Sequence, residues 1–452
     1  MATNSESVLL PGGMQSATAS LTSARRLLLR NVSFGLLDYM VQPLLMLATA
    51  RYFIRHLGMA QFGLWMLVLA IIGSSGTLCT GFGDAALKYV SMMRGRRDYE
   101  GVMQVIESSF TLNLNCGIVV AIALYMLSPW ASGHIFRLDR SLAAILIGAL
   151  RIGALVLVVR SVAFVFISTL RAFENYRTAA QITSFTRIAI IGTALILIIQ
   201  GHGVIAIMVG SFIWELAAIS ALVISVRKVL PAQTIGSSQP ILRNLMSFGA
   251  YSWLQALSGT IFSQADRLLV AALLGPAALA YYGICIQAAQ PIHGLAAAGL
   301  NVLFPHLSAR LEQEDPAILS ATLWGAARLN FLCVLALALP LLISSRTILT
   351  RWMGADFSLH AATSMSLVAL SFAFLAFNIP GHYALMAFGQ VRYLTGLNLF
   401  GAAISLVVAF ALIPHFGIMG AALGRLSYGP ITWLLYPKVS GLLRERASVN
   451  RY

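Results

Sequence analysis

Charged residues are scarce in this chain of 452 residues: they make up 10% of it, whereas hydrophobic residues make up 59% and the mean hydropathy is +0.83. A soluble globular domain carries about 25% charged residues, so the composition excludes a soluble enzyme. Apolar runs of about 20 residues recur along the whole chain, and each is long enough to cross a hydrocarbon core roughly 30 Å thick. The sequence therefore predicts an all-helical polytopic membrane protein.

Acidic residues are also few, since 15 Asp and Glu stand against 30 Lys and Arg, which gives a net charge of +15. Such an excess could indicate a nucleic-acid partner. Here the basic residues are dispersed at the ends of apolar segments instead of forming one basic face. We therefore expect no nucleic-acid binding.

The sequence lacks the usual patterns of catalysis, metal binding and nucleotide hydrolysis. The 4 cysteines occur singly, and the 8 histidines form no His-x-x-x-His or His-Glu pair. His293 alone is expected to be buried within a helix bundle, where a packing role is favoured. Because a Gly-x-x-x-x-Gly-Lys loop is also missing, the chain is not expected to hydrolyse ATP. We predict no catalytic residue, metal or cofactor. Any energy that the protein uses is expected to come from a sodium, proton or chloride gradient or from a substrate that moves down its own gradient.

The apolar runs predict twelve membrane-spanning helices. Their ranges are 31–54, 60–83, 106–129, 142–170, 178–200, 203–225, 245–274, 277–305, 321–344, 359–388, 393–414 and 418–437. Lys and Arg are concentrated in the connections on the side of the N-terminus, so the positive-inside rule places both termini in the cytoplasm.

A repeat divides the chain into two halves. Ser33-Phe34-Gly35 recurs 214 residues later as Ser247-Phe248-Gly249, Leu170–Arg177 aligns with Leu385–Arg392 at an offset of 215, and the segment at His202–Ala206 aligns with Phe416–Gly420 at 214. This pattern predicts two six-helix lobes of like orientation with a central cavity. The predicted division is a flexible cytoplasmic tail at 1–30, an N-lobe at 31–226, a cytoplasmic linker at 227–244, a C-lobe at 245–437 and a basic cytoplasmic tail at 438–452.

Several predicted helices carry polar residues on one face, at the three- and four-residue spacing of a helix. The first helix has Asp38 and Gln42, the seventh has Gln255 and Asp266, and the eighth has Gln287 and Gln290 among such residues. Packing between helices accounts for many lone polar residues. Ionisable residues favour a water-filled cavity, because a charge at the bilayer centre costs roughly 2.5–3.5 kcal/mol on insertion scales.

Six arginines fall within the predicted helices, where carboxylates are also present. The arginines are Arg51, Arg151, Arg160, Arg187, Arg267 and Arg425, and the carboxylates are Asp38, Asp84, Glu107, Glu215 and Asp266. Arg151 and Arg160 lie about 180° apart around an ideal helix, so they cannot both face one cavity. Asp266 and Arg267 point about 100° apart, so one can face the cavity while the other contacts a neighbouring helix.

Two pairs of motifs resemble Wzx-type polysaccharide flippases, of the superfamily that also contains the MATE drug exporters and the MurJ lipid II flippases. One pair is His56–Trp65 with Gly81–Ala86, and the other is Asp266–Tyr282 with Phe304–Ser308. Ala280 departs from the glycine that many relatives have at this position. The resemblance covers most of the chain after residue 30.

This resemblance implies a MATE-like fold of two pseudo-symmetric lobes that moves an undecaprenyl-diphosphate-linked oligosaccharide across the inner membrane by alternating access, for lipopolysaccharide or exopolysaccharide assembly. The expected partners are the lipid-linked oligosaccharide, membrane lipid and a polysaccharide polymerase or chain-length regulator. The expected head-group contacts are Asp38, Arg51, Gln255, Asp266, Arg267 and Gln290.

Two other functions remain open at this stage. A cation-coupled drug or metabolite antiporter of the same fold is expected to gather its carboxylates in one lobe, whereas here they are spread over both halves. A membrane-embedded glycan polymerase is expected to have a large external loop, and the longest predicted one, at about 345–358, is short.

Overall fold

A computed structural model of the protein describes the backbone of residues 12–230, 260, 263–300, 303–311 and 316–449. Within these ranges the side chains are described except at 12–39, 78–84, 305, 309–310 and 449. Every regular element in this part of the chain is helical.

Fourteen helices and one π-helical turn, Ala131–Ile135, make up the described structure. The helices are α1 (Gly12–Gly95), α2 (Tyr99–Trp130), α3 (Arg140–Ala172), α4 (Tyr176–Ile199), α5 (Val204–Val229), α6 (described over 263–274), α7 (Pro276–Leu300), α8 (Leu303–Arg310), α9 (Pro316–Met353), α10 (Ala355–Phe377), α11 (Ile379–Ala387), α12 (Val391–Phe416), α13 (Ile418–Thr432) and α14 (Leu435–Val449).

Eight helical segments in the described ranges are long and apolar enough to cross a membrane. They are Met40–Thr77, Tyr99–Ile135, Arg140–Ala172, Tyr176–Ile199, Val204–Val229, Pro316–Met353, Ala355–Ala387 and Val391–Phe416. The prediction of an all-helical polytopic membrane protein is thus confirmed, while the number of twelve spans stays a prediction.

The helix ends differ from the predicted boundaries in several places. The external loop predicted at about 345–358 is almost entirely helical, because α9 continues to Met353 and α10 begins at Ala355. Helical backbone begins at Gly12, inside the segment that the sequence analysis assigned to a flexible tail. Residues 14–30 contain neither Gly nor Pro and are rich in Ala, Leu and Arg, which favour a helix. At the other end, α14 covers most of the predicted basic tail. The predicted linker at 227–244 lies largely outside the described residues.

Glycine determines where α1 is divided. Gly58 has φ 75° and ψ 164°, a conformation outside the helical region, and it separates α1 into two helices. The backbone between α6 and α7 turns in a similar way at Gly275, where φ is 86°. Side chains with a Cβ atom rarely adopt such positive φ values. The connection between the first two predicted helices and its counterpart in the second half thus use the same turn.

The internal repeat extends to backbone hydrogen bonds at another pair of turns. The amide of Asn175 donates to the carbonyl of Leu170, and the amide of Gln390 donates to that of Leu385, both at 2.9 Å. Between them, Glu174 has φ 60° and Gly389 has φ 72°. Each turn is a Schellman-type helix end, so the two halves repeat a local geometry as well as a sequence pattern.

Helices within each half contact one another, and the halves meet mainly where α1 packs on α7. The largest apolar core includes residues of both halves, among them the fully buried Trp65 and Tyr282. This grouping has the form expected of two lobes, whose exact boundaries stay a prediction.

The contact between α1 and α7 includes a close backbone approach. A Cβ atom added at Gly63 would overlap the carbonyl oxygen of Pro276. Nearby, a Cβ atom added at Gly283 would overlap the end of the Met66 side chain. Small residues allow helices to approach closely in membranes. We call these four residues the seam.

Candidate functional site

A cavity of about 680 Å³ lies between the two halves, with most of its wall formed by the second. The first half contributes residues of α1 and α4, and the second contributes residues of α6, α7, α10, α11, α12, α13 and α14. The polar residues on its wall are Gln42, Arg187, Ser263, Gln264, Arg267, Gln287, Gln290, His293, Asn378, His382, Tyr383, Asn398, Arg425, Tyr428 and Thr432.

The charge of this wall has one sign. Arg187, Arg267 and Arg425 contribute three guanidinium groups, and no Asp or Glu is among the described residues that line the cavity. A guanidinium remains charged at any physiological pH and presents donors in a fork that matches a phosphate. The cavity is therefore suited to an anion, with amides and hydroxyls nearby as hydrogen-bonding groups.

Arg425 is held from behind the cavity wall by a carboxylate. Its Nη1 lies 2.8 Å from Oδ2 of Asp266, and both side chains are almost fully buried. The hydroxyl of Tyr282 donates to the same oxygen at 2.8 Å, and the backbone amide of Arg267 donates to Oδ1 at 2.8 Å. Asp266 thus accepts three hydrogen bonds, the number that a buried carboxylate needs to offset much of its lost hydration.

An aromatic ring fixes the plane of the same guanidinium. The Cζ atom of Arg425 lies 4.5 Å from the centroid of the Phe372 ring, in cation–π range. Arg425, Asp266, Tyr282 and Phe372 come from α13, α6, α7 and α10, so four helices of the second half meet at this point.

Arg267 lies on the cavity wall with weaker side-chain contacts. Its Nη1 donates to Oε1 of Gln264 over 3.4 Å, near the limit of a hydrogen bond. Its Nε is buried, and no described group accepts a hydrogen bond from it. A buried donor without a partner is costly, and a ligand on the cavity side could relieve that cost.

The structure brings only some of the predicted contact residues to the cavity. Arg267 and Gln290 line it, and Asp266 stands behind the wall, where it binds Arg425. Arg51 is exposed and is not among the described lining residues; it follows the lining residue Gln42 by nine positions, about 180° around the helix. The side chains of Asp38 and Gln255 lie outside the described part. The role of these six in binding stays a prediction.

Several lining residues were not selected from the sequence. Arg187 and Arg425 had been noted as arginines inside predicted helices, yet the sequence did not show which neighbours they meet. The other two candidates of this kind lie elsewhere: Arg151 stacks on Tyr125 at 4.7 Å, and Arg160 pairs with Glu215 at 2.6 Å. His293 lines the cavity, and its packing role stays a prediction; His382, which was not singled out from the sequence, lines the cavity as well.

Comparison with known proteins gives a family match and several distant relatives. A family model described as polysaccharide biosynthesis protein matches residues 53–358. The chain is 22% identical over 445 residues to the membrane protein MJ1068 of Methanocaldococcus jannaschii, covering 93% of this chain and 85% of that protein. It is 17% identical to a protein of Shigella flexneri named as a candidate O-antigen transporter, covering 88% and 93%, and 24% identical to the membrane protein EpsK of Bacillus subtilis, covering 87% and 79%.

Two solved structures are similar to the whole fold. A MATE family multidrug transporter in an inward-facing conformation aligns with a TM-score of 0.72 at 16% identity, over 92% of this chain and 96% of that one. The lipid II flippase MurJ, in an inward closed conformation, aligns with a TM-score of 0.72 at 14% identity, over 89% and 86%. At such identities the likeness shows the fold.

Proposed function

The chain belongs to the polysaccharide biosynthesis protein family, and from this premise we propose that it moves a lipid-linked oligosaccharide with a diphosphate head group across the membrane. The family match agrees with the predicted resemblance to polysaccharide flippases. The Shigella relative, whose name refers to O-antigen transport, supports the same substrate class.

The observation that carries the proposal is the charge of the cavity. Three arginines line it, and the described wall has no carboxylate. Arginine binds phosphate oxygens through paired, charge-assisted hydrogen bonds. A diphosphate is the one strongly charged group of such a lipid, so these side chains would bind it and leave the sugar to other contacts.

The remaining polar wall suits a carbohydrate. Gln287, Gln290 and Asn398 bring side-chain amides to the cavity, and each amide can both donate and accept hydrogen bonds. Sugar hydroxyls have the same dual capacity.

The seam supports a direction of opening. Gly63 and Pro276 lie close to the turns at Gly58 and Gly275, whereas the cavity is lined by later residues of α7, from Gln287 to Ala297. If both termini lie in the cytoplasm of a bacterial inner membrane, as we propose, the seam lies at the outer end and the cavity lies nearer the cytoplasmic end. Substrate would load there and leave after the lobes rearrange, without chemical change. An ion gradient and a polymerase or chain-length regulator are proposed as driving force and partner.

The drug antiporter considered above fits the cavity less well. Typical multidrug substrates of such exporters are organic cations, and three guanidinium groups would repel them. The MATE-like fold itself does not distinguish the two functions, because one fold supports different substrates.

A transport assay with purified protein tests the proposal. Proteoliposomes containing undecaprenyl diphosphate with one fluorescently labelled sugar are exposed to a membrane-impermeant quencher, and flipping is read as the additional fraction of label that becomes accessible. Faster exchange than in protein-free liposomes is expected. The same preparation is assayed for uptake of ethidium. Ethidium transport without movement of the labelled lipid would contradict the proposal and favour the antiporter.

A further inference from the structure

The repeat provides an internal reference for the buried contact between Asp266 and Arg425. The turns at Gly58 and Gly275 lie 217 residues apart, three more than the offset of 214 at Ser33, so the positions near them are counted from the turns. Asp266 lies nine residues before Gly275, and Thr49 lies nine residues before Gly58. Likewise Tyr282 lies seven residues after Gly275, and Trp65 seven residues after Gly58.

The third member has a counterpart as well. Arg425 follows Gly417 by eight residues, and Ser211 follows the aligned Gly203 by eight. The group Asp266, Tyr282 and Arg425, which we call the charged triad, therefore occupies the positions that Thr49, Trp65 and Ser211 occupy in the first half. The latter are the neutral triad.

The neutral triad shows that this fold does not need charges at these positions. The hydroxyl of Thr49 donates to the carbonyl of Leu45 in its own helix at 2.7 Å, and that of Ser211 donates to the carbonyl of Ile207 at 2.9 Å. Trp65 is buried in the core. Burying an ion pair costs desolvation that its attraction often fails to offset, so a packing requirement does not account for the charged triad.

From this contrast we infer that Arg425 is the anchor for the diphosphate, and that Asp266 and Tyr282 are positioning residues that hold its guanidinium at the cavity wall. This inference rests on the proposed function and adds to it which arginine binds and what orients it. Arg425 has a buried carboxylate behind it and an aromatic ring against its face. Neighbouring Arg267, whose amide binds the other oxygen of Asp266, supplies a second guanidinium beside the first.

A guanidinium fixed in this way can discriminate between head groups. An orienting carboxylate lowers the entropy lost when the ligand binds, because the side chain is already held in one geometry. Two neighbouring guanidinium groups can bind both phosphates of a diphosphate, whereas a monophosphate offers them only one. Arg425 should therefore contribute more to the binding of a diphosphate than to that of a monophosphate.

The test measures lipid binding by the purified full chain in nanodiscs. The probes are undecaprenyl diphosphate and undecaprenyl monophosphate, with inorganic diphosphate as a lipid-free arm. The variants are Arg425→Gln, Asp266→Asn, Tyr282→Phe and the neutral pair Asp266→Asn/Arg425→Gln. Thr49→Val and Ser211→Ala, at the matched positions of the first half, are the controls. Thermal unfolding of each preparation shows that the chain is folded.

In Arg425→Gln we expect about tenfold or greater loss of affinity for the diphosphate lipid, the range of a hydrogen bond to a charged group. The loss for the monophosphate lipid should be smaller, so the ratio of the two affinities falls. The neutral pair should fold and show the same fall, and the two controls should bind as the wild type does. General structural damage would weaken both lipids alike and leave the ratio unchanged, which would overturn the anchor role.

Asp266→Asn separates positioning from charge. Removing a carboxylate makes the cavity more positive, which by itself would strengthen anion binding, whereas loss of orientation weakens it. Weaker binding of the diphosphate lipid is expected, and tighter binding would overturn the positioning role. If this variant does not fold, Tyr282→Phe tests the same point. A loss of affinity for the diphosphate lipid of a few fold is expected, and unchanged affinity would overturn the positioning role.

The outcomes also separate this inference from the proposed function. Wild-type binding of the diphosphate lipid together with an unaltered Arg425→Gln variant overturns the anchor and leaves the function intact. If the wild type binds neither lipid, the proposed function and the anchor for it are both overturned, whether or not inorganic diphosphate binds.

Discussion

The two halves of the molecule share their turns and differ in their buried polar groups. Gly58 and Gly275 form equivalent turns, and the helix ends at Glu174 and Gly389 repeat the same hydrogen bonds. Yet one half buries an ion pair where the other has two hydroxyls, a half-buried one on Thr49 and a buried one on Ser211, that bond within their own helices. In a duplicated fold, each half can be compared with the other. Features present in both halves support the fold, whereas a destabilising feature found in one half, such as a buried ion pair, indicates a function of that half.

The largest predicted effect on stability comes from removing one partner of the ion pair in the charged triad. Asp266→Leu leaves Arg425 buried without its carboxylate and should lower the free energy of unfolding by about 3–5 kcal/mol. Asp266→Leu/Arg425→Met removes both charges and should recover most of that loss, measured by unfolding in detergent. In the neutral triad, Thr49→Val should change stability by less than about 0.5 kcal/mol. A double variant as unstable as the single one would show that the charges themselves are required for folding.

The next effect concerns the seam, where the halves are also unequal. Gly63→Ala introduces a methyl group against the backbone of Pro276 and should destabilise by about 3 kcal/mol, the upper end for overpacking. Gly283→Ala is the matched control, because its new methyl group meets the flexible end of Met66. Thermal unfolding in nanodiscs gives both values. Equal losses of stability in the two variants would mean that the close backbone contact at Gly63 is no less tolerant of a methyl group than the side-chain contact at Gly283.

A smaller effect is expected from the tyrosine of the charged triad. Tyr282→Phe removes one of three hydrogen bonds to Asp266 and should cost about 1.5 kcal/mol, the lower end for a charged acceptor. The variant keeps the ring in the core, so packing is conserved. The loss should largely disappear when Tyr282→Phe is combined with Asp266→Leu/Arg425→Met, as a double-mutant cycle on unfolding can show. A persistent loss would assign it to packing instead.

The smallest effect concerns the repeated helix ends. Gly389→Ala places a Cβ atom at φ 72° and should destabilise by about 1 kcal/mol. Glu174→Gly relieves the same strain at φ 60° but removes the exposed ion pair with Arg94, worth about 0–1 kcal/mol. The relieved strain and the lost ion pair nearly cancel, so the free energy of unfolding should change little. A large loss in Glu174→Gly would show that the ion pair contributes more than its exposure suggests.

The sequence predicted the helical fold, the repeat and part of the cavity wall, for identifiable reasons. Gln290 was selected because polar residues at helical spacing mark a face, Arg267 was selected as an arginine within a predicted helix, and both line the cavity. Arg51 was selected because it is charged within a predicted helix. It lies about 180° around that helix from Gln42, so it points away from the cavity that Gln42 lines. Spacing within one helix gives relative directions only.

Contacts between distant helices could not be obtained in the same way. Asp266 and Arg425 are 159 residues apart, and nothing in the local sequence pairs them. The repeat held part of the missing information, since Thr49 and Ser211 occupy the equivalent positions without charge. Comparing the halves position by position would have marked Asp266 and Arg425 as a joint departure, though not the distance between them.

The glycine in the seam has a thermodynamic consequence for a cycle in which the lobes separate and meet again. Gly63 meets the backbone of Pro276, so neither residue has side-chain rotamers to lose when that contact forms. The same lack of a side chain limits the apolar area that must be wetted when the contact opens. A closure of this kind can fit tightly and still open at a small cost in free energy, which is what repeated opening and closing requires.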